Sequence, residues 1–444
     1  MIAILGGGPA GRIAAMRLAA AGKEVTLYER GEIGGQCLHA GCMPVCALND
    51  LARFLHAARL FHDLGLTGSV PELRFAETLK EMRTVQEKIA SILDHETRQA
   101  GVEIVYGKTG RLESGAVLVD DERVGADSVI VATGSRPNIP DAEGMDLAGV
   151  FNPHTVWGMV SLPQRLTIIG GGVMAAEFAY IFSEFGSAVT LISRSGFLKD
   201  LDPHLRALAR KELAGVDIRE NTGLCSCTGC ACVESVRVRT EKCDATVASD
   251  AVLVTAGLVP RSELIHGVDK RPDGSIIVDD HMRTSAPGVY AGGDVTGPPY
   301  LTPVARHQGI VAADNILGID RAMDYRFIPR SISLSHELAY CGVSGENAAS
   351  LAIPGPAGPG TFWAVPSGET GLAKIMADPE TGAIRGVCCA GPGGGLIAGY
   401  MAFLMQRHFS VHDFEDFIEV HPSTDGVYGL AKYASEILKK RNAE

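Results

Sequence analysis

The chain is poor in aromatic residues and short of positive charge. Phe, Tyr and Trp make up 6% of its 444 residues, and only two are tryptophan. Lysine and arginine number 40 against 52 aspartates and glutamates, a formal net charge of −12. That balance argues against a nucleic-acid-binding surface and against an acidic membrane face as partners. No apolar run is long enough to span a bilayer. The sequence enters MIAILGGG at once, with no charged segment and signal helix ahead of it, so a cytoplasmic location is expected. In that compartment eleven cysteines read as reduced, catalytic or metal-bound thiols rather than structural disulfides. The length suits two or three domains, and 46% hydrophobic with 21% charged residues is an ordinary globular composition.

Glycine, by contrast, is plentiful and patterned. A short apolar strand, Ile2 to Leu5, runs into Gly6-Gly7-Gly8-Pro9-Ala10-Gly11, then an Ala-rich helix, then a strand ending at Glu29 and Arg30. This is a βαβ unit with G-x-G-x-x-G at its first turn. Gly6 allows the tight turn, Gly8 lets a pyrophosphate approach the backbone, and Gly11 lets the helix pack on the strand. Glu29 stands where a carboxylate binds ribose hydroxyls. The fingerprint recurs at Gly170-Gly171-Gly172-Val173-Met174, again between strand and helix, so two nucleotide-binding domains are predicted. At the position equivalent to Glu29 the second copy has Ser193, followed by Arg194 and, further on, Lys199. A missing acid with basic neighbours suits the 2′-phosphate of NADP(H) better than the free ribose of NAD(H). The alternative is that Arg194 and Lys199 are ordinary solvated charges.

Just past the first fingerprint, Gly35-Gln36-Cys37 and Gly41-Cys42 place two thiols close in sequence. A helical turn starting near Gly41 would bring the sulfurs within bridging reach. A disulfide there suggests electron transfer from a bound flavin; the plainer reading is a pair of buried cysteines. A second cluster, Cys225, Cys227, Cys230 and Cys232, reads as a hairpin with a Thr-Gly turn, 227 opposite 230 and 225 opposite 232. All four sulfurs would then share one face, as a four-cysteine zinc site, as two labile disulfides or as inert thiols. Cys388-Cys389 reads as core packing. Helical spacing of apolar residues predicts long helices over Ala47 to Leu64 and Phe75 to Ala100. The Pro-Gly-rich stretch 353–360 reads as a surface loop.

These motifs resemble the FAD-dependent pyridine nucleotide-disulfide oxidoreductases, such as lipoamide dehydrogenase, glutathione reductase and mercuric reductase, over essentially the whole chain. Dihydrolipoamide dehydrogenase-like members match best. Val131-Ala132-Thr133-Gly134 and Thr255-Ala256-Gly257 look like the family's domain-crossing segments. Gly292-Gly293-Asp294 resembles its second FAD motif, and Thr302-Pro303-Val304-Ala305 the start of the helix aimed at the flavin ring. The resemblance implies an α/β fold: two Rossmann-like nucleotide-binding domains, for FAD and NAD(P), plus an α+β dimerisation domain. The FAD domain would occupy 1–150 and 261–324, the NAD(P) domain 151–260 and the interface domain 325–444.

The implied chemistry is a relay from NAD(P)H through FAD to a Cys37–Cys42 disulfide. Cys42 would face the flavin as a thiolate, and Cys37 would exchange with substrate. His421, in VHPSTDG, would act as acid–base from the other subunit of a homodimer. A lysine usual in the family four residues past the second cysteine is Cys46 here, which leaves its partner carboxylate, Glu177, without it. A glutamate usual five residues after the histidine is Gly426, so Asp425 or Glu419 would have to serve. Cys46 is therefore a candidate third active thiol. The expected substrate is a small or lipoyl disulfide, with a lipoyl-carrier protein as a candidate partner. The rivals are another thiol compound, a metal ion, or a flavin-based sensor with weak catalysis. No cysteine pair follows Cys389, which counts against the mercury-reducing branch.

Overall fold

The computed structural model describes all residues except 114, 241–243, 344–348, 355–361, 368–369, 421–425 and 444. His421 and Asp425, and residues 355–360 of the loop expected at 353–360, lie outside the described residues; Ile353 and Pro354 instead end a strand, Ala349–Pro354.

The first sheet has five parallel strands in the order 289–291, 128–131, 2–5, 25–29 and 103–106. Ile2–Leu5 lies at its centre and is buried throughout, which is why its run is wholly apolar rather than alternating. The strand at Val289–Ala291 joins this sheet from far along the chain. Helix α1 (Pro9–Ala20) starts with proline in its first turn, where the missing N–H costs nothing. A short α2 (Gly35–His39) leads into α3 (Cys42–Asp63), and α4 (Phe75–Gln99) follows. Helix α3 begins five residues earlier than apolar spacing predicts. Gly41 caps it, Cys42 is its first residue, and Cys46 lies one turn further on.

The second sheet is also parallel, ordered 217–219, 188–192, 165–169, 251–254 and 150–151. Helix α5 (Val173–Phe185) follows its fingerprint, and α6 (Pro203–Glu212) is capped by Asp202, whose carboxylate accepts the His204 N–H at 2.9 Å. Helix α7 (Thr302–Ile316) packs on α1. The last unit is a five-stranded antiparallel sheet covered on one face by α8 (Gly394–Gln406) and α9 (Gly426–Ala443). Its other face shares a core with α3 and α5. Ile332, Leu338, Met376 and Cys388 pack with Leu48, Phe178, Tyr180 and Phe182, all nearly inaccessible to solvent. Burying one such side chain is worth roughly 1.5–3 kcal/mol, so this shared core holds α3, α5 and the antiparallel sheet together. Among the described residues no helix is long and apolar enough to cross a membrane.

The cysteine hairpin forms with a different register. Gly223–Thr228 pairs with Ser235–Arg239, so Cys227 faces Val236 rather than Cys230, and residues 229–234 are the loop. The register slips between Leu224 and Ser226, which makes Cys225 the extra residue of a bulge. Cys227 is buried, Cys225 is half-buried, and Cys230 and Cys232 are exposed. The four sulfurs do not gather. The one group of metal-capable side chains drawn together among the described residues is Asp279, Asp280 and His281, far along the chain. Tertiary bonds decide this register: the Cys227 N–H reaches the Glu143 carbonyl and the Val233 N–H the Ala148 carbonyl, each at 2.8 Å.

Candidate active site

A cleft of about 730 Å³ runs from the N-terminus of α1 to the two thiols of α2 and α3. Its volume lies within the roughly 300–1,000 Å³ of ordinary ligand sites. At one end Gly6 holds φ +110°, and a Cβ there would overlap the Ala132 carbonyl. A Cβ on Gly11 would overlap the Gly6 carbonyl and stand 3.1 Å from Ile4 Cγ2. Gly35 meets Gly8 so closely that a Cβ would come within 2.8 Å of the Gly8 Cα. The backbone therefore lies bare where a pyrophosphate would approach. Glu29 is locked in place, its Oε2 accepting from the Gly7 N–H at 2.6 Å and its Oε1 from the Gly31 N–H at 2.7 Å.

Pro9, Ala10, Arg30, Gln36, Thr133, Gly134, Gly293 and Asp294 all line this cleft, as do Thr302, Pro303 and Ala305. Val304 does not; it is buried behind them. The Ser135 hydroxyl donates to Asp294 Oδ2 at 2.7 Å. Arg261 and His154 are among the lining residues that carry no motif and are not predicted. Arg261 donates from Nε to the Ser135 carbonyl at 2.8 Å, and His154 Nε2 bonds the Gln36 side-chain oxygen at 2.7 Å. Burial and the nearby Arg261 lower the basicity of His154. The bare glycine turn, the fixed acid and the extended cleft fit a dinucleotide of the FAD type.

Cys37, on α2, is half-buried; Cys42, the first residue of α3, is exposed to the cleft. Cys37 and Cys42 act on each other's titration, and Cys42 Sγ lies 3.4 Å from Thr302 Oγ1 at the N-terminus of α7. Interaction with Cys42 brings the Cys37 thiol down to about 6 against the opposing effect of burial, with Thr302 and Arg306 helping. The same interaction, together with burial, pushes Cys42 up. The two shifts put the charge on Cys37 and the proton on Cys42, the reverse of the thiolate expected at Cys42, so Cys37 is the ready nucleophile. In the reduced protein, iodoacetamide should modify Cys37 with a rate that falls as pH drops through about 6. A midpoint near the ordinary thiol value would contradict the pairing.

Cys46 lies one turn beyond Cys42 on the same helix face. Its surroundings raise its thiol by desolvation, with Glu177 and Cys42 adding to the shift. Glu177, on α5, accepts the Ser333 N–H at 2.9 Å, and desolvation raises its carboxyl to about 7. Glu419 accepts from Lys432 at 2.7 Å.

The second fingerprint holds the same kind of turn, with Gly170 at φ +146° against Thr255 and Gly172 at the cap of α5. Val173 opens that helix, Met174 reaches the cleft, and Gly257 takes φ +99° in the loop after Ala251–Val254. Ser193 is buried and turned inward, donating to the Gly196 carbonyl at 2.8 Å. Arg194 and Lys199 are exposed. Glu220, not anticipated, accepts from the Phe197 N–H and from Arg206 at 2.6 Å each, and also from Arg210.

Two family matches cover nearly the whole chain: pyridine nucleotide-disulphide oxidoreductase over residues 1–309, and the dimerisation domain of the same family over 328–431. The chain belongs to the pyridine nucleotide-disulphide oxidoreductases. They are flavoprotein enzymes that use FAD and NAD(P). Within the family the chain is 30% identical to dihydrolipoyl dehydrogenase of Bacillus subtilis, covering 95% of each chain. It is 27% identical to mercuric reductase of Shigella flexneri, over 99% of this chain and 81% of that one. The fold matches the HOCl-induced flavoprotein disulfide reductase RclA from Escherichia coli at TM-score 0.84 and 23% identity, over 99% of both chains.

Proposed function

We propose that this oxidoreductase works as a homodimer that carries electrons from NADPH through FAD to Cys37 and Cys42, and on to a lipoyl or other small disulfide. The observation that carries this reading is the pair of thiols, Cys37 and Cys42, at the end of a dinucleotide-shaped cleft. When bound, FAD supplies two-electron transfer between the nicotinamide and the thiols. Gly6 and Gly8 would take its pyrophosphate, with Gly11 seating the helix on the strand behind them, Glu29 would bind its ribose, and Asp294 its ribityl chain. The Cys37 thiolate attacks one sulfur of the substrate disulfide, forming a mixed disulfide and expelling a thiolate that takes a proton, with His421 as its source. Cys42 then loses its proton and attacks the Cys37 sulfur. That step closes the internal disulfide and frees the second substrate thiol. Run in reverse, the same steps oxidise a dithiol. A stripe on α8, with Leu396 82% exposed and Tyr400 and Phe403 beside it, supports a second subunit there.

Ser193 turned inward with Arg194 and Lys199 at the surface supports NADPH as the reductant. The test is lipoamide-dependent oxidation of NADPH and NADH, compared with the Arg194→Ala/Lys199→Ala protein. Losing charge-assisted bonds to a phosphate costs roughly 1.5–3 kcal/mol. The double variant should therefore lose about 10- to 100-fold in kcat/KM for NADPH and little for NADH. An unchanged preference would assign the selectivity elsewhere, and absence of disulfide turnover with either nucleotide would contradict the function.

A further inference from the structure

Arg261 reaches the cleft from a distant part of the chain. Ser135–Pro137 and Leu258–Pro260 pair as a short antiparallel ribbon, and Arg261 follows directly. Three bonds fix it there. Its N–H donates to the Gly134 carbonyl at 2.8 Å, its carbonyl accepts from the Thr133 hydroxyl at 2.6 Å, and its Nε donates to the Ser135 carbonyl at 2.8 Å. The stem is held but the fork is free: among the described residues its terminal nitrogens make no hydrogen bond and no ion pair. Four carboxylates line the same cleft, Glu29, Glu32, Glu263 and Asp294, against the fixed cations Arg30, Lys108 and Arg261. Lys108 is paired with Asp120, and Glu263 with Arg136 at 3.1 Å. Arg30 is exposed, just past the strand that ends at Glu29. Arg261 is half-buried, and its Ser135 anchor donates in turn to Asp294. Burial first, then Arg30 beside it, lower its basicity, while Glu263 and Glu29 oppose them. A half-buried cation is thus held in the cleft without a partner of its own.

We propose that Arg261 binds the pyrophosphate of FAD with the free fork of its guanidinium. This rests on the assignment of the cleft to FAD above. The glycine turn offers N–H groups and a helix N-terminus, but no full charge. Placing two phosphate charges in a cleft that already holds Glu29 and Asp294 is costly unless a cation meets them. An arginine fork matches phosphate geometry with two parallel bonds. One already anchored through Nε has little freedom left to lose on binding. Arg261 lies beyond the second glycine fingerprint in the chain, so retention of flavin depends on the second nucleotide unit being folded.

The test is titration of the flavin-stripped full chain with FAD, read by flavin fluorescence, with two competitors. ADP carries the pyrophosphate without the flavin, and adenosine carries neither. Arg261→Gln should weaken FAD and ADP alike by about 10- to 100-fold and leave adenosine and the melting temperature of the apoprotein unchanged. Arg261→Lys, which keeps the charge without the fork, should recover part of that loss. Arg261→Met, uncharged and of similar length, asks the same question should Arg261→Gln fold poorly. Unchanged affinity for FAD and ADP in the uncharged variants overturns the proposal. A loss that extends equally to adenosine, and that Arg261→Lys does not recover, also overturns it and makes Arg261 a structural latch. In both cases ADP that still displaces FAD from the wild type leaves the cleft assignment standing. FAD that ADP cannot displace from the wild type overturns that assignment as well.

Discussion

Cys37→Ser is expected to abolish disulfide turnover while leaving reduction of bound flavin by NAD(P)H nearly unchanged. Loss of a nucleophile from a working unit typically costs about 10³-fold or more. The specific reason here is the asymmetry of the pair. Interaction with Cys42 keeps Cys37 charged near neutrality, whereas Cys42 itself is pushed the other way and sits against Thr302. Serine cannot supply a thiolate or accept electrons from Cys42. The nucleotide cleft does not depend on the Cys37 sulfur, so the spectrum of the flavin and its bleaching by nucleotide should survive. Stopped-flow absorbance separates the two half-reactions. Disulfide turnover within tenfold of wild type would remove Cys37 from the relay.

Gly11→Ala is expected to yield protein without flavin. The added Cβ would overlap the Gly6 carbonyl and press within 3.1 Å of Ile4 Cγ2. Neither neighbour can yield easily. Gly6 is committed to φ +110°, where its own space is closed by Ala132, and Ile4 belongs to the wholly buried central strand. Helix α1 would have to lift from the sheet, carrying away the N–H groups that would face a pyrophosphate. Overpacking of this kind costs about 1–3 kcal/mol, so the chain should still fold with a lowered melting temperature. Gly68→Ala is the control, since a Cβ there meets nothing within 4 Å. The flavin-to-protein ratio after purification reads the result. Full flavin content in Gly11→Ala would show that the fingerprint tolerates a side chain at this position.

Both nucleotide units were legible because hard-sphere sterics write them into local sequence. A glycine forced by a carbonyl at bonding range, as at Gly6 and Gly170, leaves no alternative residue, and a strand buried on both faces, as at Ile2–Leu5, reads as an unbroken apolar run. Legibility failed where distant chain decides the outcome. The Cys225–Cys232 segment offers a symmetric local pairing, but backbone bonds to Glu143 and Ala148 and the bulge at Cys225 select another register. His154, Arg261 and Glu220 reach their sites only through the tertiary fold, with no spacing to mark them. The spacing marks Ser193 as an absent acid; its inward bond to Gly196 is a feature of the loop that no pattern displays. Cys46 stood out only because of what it replaces.

The most direct measurement is an anaerobic titration of the purified protein with NADPH, following long-wavelength absorbance and counting thiols after each equivalent. The account predicts that the first equivalent exposes two new thiols, Cys37 and Cys42, and produces a charge-transfer band before the flavin bleaches. Bleaching of the flavin at the first equivalent with no new thiols would mean that electrons stop before the cysteines, and the relay through Cys37 and Cys42 would be wrong.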